Sequence, residues 1–167
     1  MTIILSQQRN GIVSVAYDCF NLINAIPAEI KGDNKERTGI QIFVGEPGTR
    51  NSIFASINYP SEAAKIFVVE KATRMGLLGD YSSQNSENPE LMRFRGALTV
   101  EIEGAKIQAS VSGLQSDEDA FTAVKILAYI FNISDAKVCK IIKEHGGILP
   151  ECLFNNTHYL YIYTPEN

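Results

Sequence analysis

Apolar residues recur along this chain with two different periods. Between Gly11 and Ile26 they fall every three or four positions, and they do so again after Ser61 and after Ser116. That spacing is typical of one face of an α-helix. In residues 98–102 they fall at every second position, which is typical of one face of a β-strand. The pattern therefore predicts helices that alternate with β-hairpins.

Two hairpins are predicted where alternating stretches flank turn-forming sequences. The first joins strands at residues 39–44 and 52–58, and the second turns at residues 103–105. In the second hairpin the apolar positions are predicted to face a core. The polar positions of this hairpin form the other face, and the pattern of the third strand predicts that this face is exposed to water. On the return strand those polar positions are Gln108, Ser110 and Ser112.

Prolines, glycines and capping residues set the predicted helix boundaries. The first helix is expected to end near Pro27, and the second to begin around Ser61 and end between Gly76 and Gly79. A third helix is predicted to begin at an N-cap, Ser116, with Asp119 three positions later as in a capping box. Residues 117–119 are consecutive carboxylates. Capping and the helix dipole explain them better than a cation site does.

The remaining segments are predicted from their composition. Residues 31–37 are charged and are expected to form an exposed loop, and Asp80–Pro89 is the longest polar loop. A fourth helix is predicted from its cap Ser134 to Gly146-Gly147. The alternating aromatic residues of His158–Tyr163 predict a final strand.

These elements predict the α+β class, with a central antiparallel sheet of hairpins flanked by helices on both faces. At 167 residues the chain has the usual size of one compact domain, so residues 1–167 are predicted to form a single domain.

Charge and composition argue against some classes of binding partner and indicate the expected cellular location. A net charge of −4 argues against nucleic acid and anionic membranes, which need basic surface. No apolar run is long enough to span a bilayer, and the N-terminus does not read as a signal peptide. Cysteines 19, 139 and 152 are odd in number and widely spaced, which fits reduced thiols. We expect a cytoplasmic protein.

One group of soft metal ligands occurs, at Cys139, His145, Cys152 and His158. It lacks the closely spaced pairs that let one turn chelate zinc, so no metal site is predicted and packing roles are favoured. No nucleophile can be placed beside a base, so no catalytic residue is predicted.

Two groups of charged residues could serve a ligand. Glu70, Lys71 and Arg74 lie together on the second helix, where a solvated surface is the favoured interpretation. Arg93 and Arg95 flank Phe94, so alternation places both guanidinium groups on one face, where they would suit a carboxylate or phosphate. The alternative is that they are edge-strand charges that discourage association.

Short motifs appear in a recognisable order along these elements. They are Lys71-Ala72-Thr73, Ser82-Ser83, and Val111-Ser112-Gly113 followed by Asp119 and Ala120. In this order the chain resembles the GlcG/HbpS family, which includes the C-terminal domain of PduO-type proteins. The resemblance covers residues 39–131, and residues 132–167 extend beyond it as a helix and a strand.

The resemblance implies a profilin-like fold, a homo-oligomer that is a dimer or larger, and in some members binding of haem or a link to cobalamin. By position it implies ligand-binding roles for Lys71, Thr73, Ser112, Gly113 and Asp119. Independently of the family, Ser112 and Gly113 lie where a strand ends and a helix N-terminus presents free N–H groups.

Three functional hypotheses follow. The first is a small-molecule or cofactor-binding protein whose ligand, for example a tetrapyrrole, carries an anionic group met by Arg93, Arg95 or the helix at Ser116. The second is an oligomeric interaction or scaffold protein that assembles through its C-terminal strand. An enzyme is the least favoured of the three.

Overall fold

The computed structural model describes residues 1–33, 37–155 and 157–163. Helices and strands alternate along the chain as the apolar pattern predicts. The helices are α1 Leu5–Ala25, α2 Ala28–Lys31, α3 Glu62–Leu78, α4 Ser116–Phe131, α5 Asp135–Glu144 and α6 Tyr159–Ile162. The strands are β1 Gly39–Gly45, β2 Ser52–Asn58, β3 Ala97–Ile102 and β4 Ala105–Ser112.

The four strands form one antiparallel sheet in the order β2-β1-β4-β3. Both predicted hairpins are present, and β4 of the second pairs with β1 of the first. The core lies on one face of this sheet, beneath α1 and α4, and includes Ile42, Ile107 and Val111. Helix α3 packs across β1 and β4, on the opposite face. The α+β prediction, with helices on both faces, is confirmed.

The face of the sheet that was predicted to be wet is covered by α3. Thr99, Gln108, Ser110 and Ser112 are all buried there. Gln108 Nε2 donates to Ala72 O at 2.8 Å, and Ser110 Oγ donates to Val68 O at 2.8 Å. The prediction was wrong because α3 covers this face, and Gln108 and Ser110 bond to the backbone of that helix rather than to water.

Both ends of the chain differ from the prediction. Helix α1 begins at Leu5 rather than near Gly11, because Leu5 is buried and its N–H donates to the Asn51 side chain at 3.0 Å. The predicted C-terminal strand is wrong, since residues 159–162 form a short helix. The aromatic residues there serve different contacts, and the Tyr161 hydroxyl donates to Leu153 O at 2.7 Å.

Two further expectations concern loops and caps. The predicted charged loop falls partly on residues 34–36, which lie outside the described ranges, and its last residue, Arg37, is buried rather than exposed. Helix α4 has Gln115 rather than Ser116 as its N-cap, and Glu118 rather than Asp119 completes the capping box by accepting from the Gln115 N–H at 3.0 Å. None of the helices in the described ranges has the length and hydrophobicity needed to cross a bilayer.

Candidate functional site

Three consecutive carboxylates begin α4, and each pairs with a basic side chain from a different part of the chain. Asp117 pairs with Arg95, Glu118 with Arg37, and Asp119 with Lys71. Capping and the dipole alone therefore do not account for these residues. Within the described ranges, no cluster of histidine, cysteine or carboxylate side chains is suited to a metal ion.

Lys71 and Asp119 form a buried ion pair between α3 and α4. Lys71 Nζ donates to Asp119 Oδ2 at 2.9 Å and to Val111 O at 2.7 Å. The Leu114 N–H donates to Asp119 Oδ1 at 3.1 Å. Burial raises the pKa of the Asp119 carboxyl to about 7, because lost solvation outweighs the opposing effect of the Lys71 ammonium.

Gly96 allows this pair to form. Its φ is +117°, and a Cβ there would lie 2.6 Å from Asp119 Cβ and 2.9 Å from Lys71 Nζ. A side chain at this position would therefore displace the ion pair as well as strain the backbone.

Arg37 and Glu118 form a second buried pair beside the first. Arg37 Nε donates to Glu118 Oε2 at 2.7 Å, and a second guanidinium nitrogen donates to Oε1 at 2.9 Å. The Tyr159 hydroxyl also donates to Glu118 Oε1 at 3.0 Å, and this contact raises its own pKa, as burial does. Arg37 also pairs with Asp33 at 3.1 Å. This bidentate geometry is the strongest form of an arginine–carboxylate contact.

A cleft of about 540 Å³ opens above these ion pairs. It lies between the N-termini of α3 and α4, two helices whose first-turn N–H groups lack intrahelical partners. Phe67 and Phe94 form one wall, with ring centroids 5.0 Å apart in an edge-to-face arrangement. The other lining residues that matter here are Arg37, Ser61, Lys71, Ser112, Gln115 and Asp119.

Ser112 differs from the other polar residues of its strand. Its side chain lines the cleft and the residue is only 5% exposed. Unlike Ser110, whose hydroxyl donates to Val68 O, it has no hydrogen-bond partner for its hydroxyl among the described residues. A hydroxyl that borders a cleft and has no protein partner can bond a ligand there.

Gly113 brings the end of β4 close to β1. Its φ is +128°, and a Cβ there would lie 2.4 Å from Gly39 O. The sequence-based expectation of a glycine turn is therefore confirmed, and the turn directs the chain from Ser112 into the N-terminus of α4.

The predicted ligand-binding residues are only partly brought together. Lys71, Ser112, Gly113 and Asp119 line the cleft. Thr73 is exposed on α3 and does not line the cleft.

Arg93 and Arg95 do not act as a pair. Arg93 is exposed and forms a backbone bridge with Asn88. Arg95 lies outside the cleft lining and pairs with Glu87 at 3.0 Å and Asp117 at 2.9 Å.

The helical charge group at residues 70–74 is not a solvated surface. Lys71 and Arg74 are both buried. Arg74 pairs with Glu70 and donates to the carbonyl oxygens of Ser83 and Phe94 at 2.9 and 2.8 Å. Arg74 therefore holds the polar loop and the aromatic wall of the cleft against α3.

Sequence reasoning missed Arg37, Phe67 and Phe94 as site residues. Phe67 lies on the apolar stripe of α3 but is only partly buried, at the cleft. Arg37 follows a charged stretch whose composition resembles any solvated loop, so no local signal marks it. Only its contact with Glu118, which lies far away in the sequence, gives it a place in the site.

The cysteines and histidines lie apart from the cleft. Cys139 and Cys152 are buried, and burial raises the pKa of each thiol, to about 11 and about 12. His145 stacks on Tyr81 with ring centroids 4.3 Å apart, and His158 caps α6.

Haem does not fit the cleft as a ligated cofactor. Haem iron takes histidine, cysteine, methionine or tyrosine as its axial ligand. None of these residue types is among the described residues that line the cleft.

Comparison with solved structures gives a distant likeness. No protein-family model and no curated protein matches the chain. Among solved structures, the Klebsiella pneumoniae protein ORFY, of the family DUF336, is similar to it with 14% identity and a TM-score of 0.45. The alignment covers 73% of this chain and 91% of ORFY. DUF336 proteins are the GlcG-like family, and at this level of similarity the chain is not placed in that family.

Proposed function

We propose that this protein binds a small molecule whose carboxylate or phosphate group enters the cleft between the N-termini of α3 and α4. The observation that carries the proposal is the hydroxyl of Ser112, a residue that is 5% exposed and borders the cleft, and whose hydroxyl bonds to none of the described residues. A ligand oxygen would give this hydroxyl the hydrogen bond that it lacks.

The surroundings of Ser112 favour an anionic group. Two helix N-termini face the cleft, and each presents N–H groups and the positive end of a helix dipole. Asp119 and Glu118 are paired with Lys71 and Arg37, and Arg37 also pairs with Asp33. Lys71 has three N–H groups, and two of them have acceptors among the described residues, which leaves the third for a ligand.

The aromatic wall favours a ligand with an apolar or planar body. Phe67 and Phe94 are both only partly buried, so a ligand that covers them removes apolar surface from water. An anionic head at the helix N-termini and a planar body against these rings would fill both parts of the cleft. Because Lys71 and Asp119 neutralise each other, the proposal is of binding and assigns no reaction.

The proposal is tested by titrating the protein with phenyl phosphate, benzoate and the neutral benzyl alcohol. Amide NMR shifts are recorded for residues 63–64 and 113–116. We expect the two anions to shift these amides and benzyl alcohol to bind more weakly, because it lacks the charge. Shifts from the anions that spread over the surface without including residues 113–116 would contradict the proposal.

A matched pair of variants isolates the Ser112 hydroxyl. Ser112→Ala should weaken anion binding about 10-fold or more, which is the size expected for losing one hydrogen bond to a charged group. Ser110→Ala removes a hydroxyl from the same strand face, outside the cleft, and should leave the dissociation constant unchanged. Equal affinities for Ser112→Ala and the wild type would remove the main support for the proposal.

A further inference from the structure

The two edge strands of the sheet, β3 and β2, differ in how far their outward backbone groups are covered. At the β3 edge, the Ala97 N–H donates to Ser83 Oγ at 3.0 Å and the Thr99 N–H donates to Tyr81 O at 3.0 Å. The Tyr81 hydroxyl donates to Glu101 Oε2 at 2.7 Å. Residues 81–83 therefore cover the outward N–H groups of Ala97 and Thr99, and Tyr81 also bonds to the side chain of Glu101.

The β2 edge has no such cover in the part of the chain that the structure describes. The Tyr59 N–H donates to Thr38 O and the Glu46 N–H donates to Asn51 O. These two bonds show which residue pairs of the β1–β2 ladder are hydrogen-bonded to each other, because hydrogen-bonded and non-hydrogen-bonded pairs alternate. By that alternation, the backbone groups of every second residue of β2 point away from β1. These residues are Ser52, Phe54, Ser56 and Asn58.

Strand β2 also lacks the devices that usually protect an open edge. Its seven residues include no charged residue and no proline, although both are common at natural edges. Its register with β1 runs without a bulge from Ser52 to Asn58. Phe54 is 49% exposed, so the edge also offers apolar surface.

We infer that the β2 edge binds the β2 edge of a second copy of this chain, which joins the two sheets into one antiparallel sheet. This inference does not depend on the proposed ligand. A two-fold contact must be self-complementary, and β2 meets this condition when the symmetry axis passes through Ala55. Ser52 then faces Asn58 of the second copy, and Phe54 faces its Ser56. The two pairs between Phe54 and Ser56 give about four backbone hydrogen bonds, whereas Asn58 has a φ of +55° and leaves the extended conformation at the end of the strand.

The surface beside this edge leaves room for the second copy. A trough of about 680 Å³ runs between α1 and β2. Asn10, Val13 and Tyr17 of α1 line it, and these positions share one side of the helix. In the dimer, the α1 helices of the two copies would meet along these sides, and the partly exposed Val13 and Tyr17 would lose contact with water.

Disulfide trapping tests the contact and its register together. Ala55→Cys would place two thiols at a non-hydrogen-bonded pair whose Cα atoms are about 4.5 Å apart, within reach of a disulfide. Ile57→Cys is the matched control, because in this register residue 57 faces residue 53 and not itself. The three native cysteines are buried. We expect mild oxidation to give a covalent dimer with Ala55→Cys and none with Ile57→Cys or the wild type.

Sedimentation velocity across a concentration series supplies the second test. The wild type should dimerise, and Phe54→Pro should be monomeric, because proline removes an outward N–H that no described residue accepts. Leu77→Lys, on the exposed side of α3 at 82% exposure, should remain dimeric. If Phe54→Pro does not fold, Phe54→Lys serves the same purpose, because it leaves the backbone intact and places a charge at the edge.

Three results would overturn the inference. They are a wild type that stays monomeric at every concentration, a dimer that Leu77→Lys breaks and Phe54→Pro does not, and a disulfide that forms as readily with Ile57→Cys as with Ala55→Cys.

Discussion

The two faces of the sheet hold their helices by different means. Under α1 and α4 the face presents branched apolar side chains such as Ile42 and Ile107, which are fully buried. Under α3 it presents Gln108 and Ser110, which donate hydrogen bonds to the helix backbone. Burial of apolar area is strong but non-directional, whereas each hydrogen bond is weaker and fixes one position of the helix along the strands.

This difference determines where a ligand site can form. A polar face beneath a helix must have its groups satisfied, because an unpaired buried group costs free energy. Most groups on the α3 face satisfy one another, as do the ion pairs at the start of α4. The Ser112 hydroxyl bonds to none of the described residues, and Ser112 lies where the polar face opens into the cleft.

The largest effect on the polar side should come from Lys71. Lys71→Met leaves the buried Asp119 without its cation, and we expect a loss of about 3 to 5 kcal/mol in the free energy of unfolding at pH 8. Urea denaturation measures it. The double variant Lys71→Met, Asp119→Asn should recover at least half of the loss, because no buried charge remains. A single variant as stable as the wild type would show that the ion pair contributes little.

Substitutions at two adjacent residues of β4, whose side chains lie on opposite faces of the sheet, allow the stability contributed by the two faces to be compared. Ile107→Ala should lower the free energy of unfolding by about 2 to 5 kcal/mol, because it leaves a cavity in the apolar core. Gln108→Leu keeps the volume and removes one hydrogen bond to α3, so it should cost only about 1 kcal/mol. Thermal and urea unfolding measure both. Equal losses would mean that the two faces do not differ in the way described.

Asp119 should give the protein a specific pH dependence. Its folded-state pKa of about 7 lies above the ordinary aspartate value of 3.8, so between these pH values the folded state holds a proton that the unfolded state has lost. This contribution to stability is complete at low pH and falls as pH rises through the window, by at most about 1.4 kcal/mol per pH unit.

Asp119→Asn removes this titration and serves as the control. The free energy of unfolding of the wild type minus that of Asp119→Asn should therefore decrease from pH 4.5 to pH 7 and then level off. Urea denaturation at several pH values measures the difference. A difference that is flat, or that grows with pH, would contradict a raised pKa.

The smallest expected effect is the difference in stability between alanine substitutions at two serines of β4. Ser110→Ala loses the hydrogen bond to Val68 O and should cost about 1 kcal/mol. Ser112→Ala loses no bond to a described residue, so we expect a change close to zero in the absence of a ligand. Differential scanning calorimetry measures both. A larger loss for Ser112→Ala would indicate that its hydroxyl already stabilises the fold.

Much of the fold could be predicted because its signals are local. The alternation of apolar and polar residues predicts the ends of β1 to β4 to within one residue. Ser61 and Ser134 are the N-caps of α3 and α5, as expected. Helix α3 is where this reasoning fails. It buries Lys71 and Arg74 while Ile66 and Leu77 are 66% and 82% exposed. The rule that apolar residues face the interior predicts the wrong buried side for a helix that packs against a polar sheet face.

The sequence by itself determined the four strands, the helices α1, α3, α4 and α5, and the glycine turn that leads from Ser112 into α4. These features depend on neighbouring residues, whose preferences act over a few positions. Only the tertiary structure decided which carboxylate meets which cation, that α3 covers the polar face, and that β3 is protected while β2 is open. Those outcomes depend on residues far apart in the chain, such as Arg37 and Glu118. Their contact arises from packing, which no local pattern records.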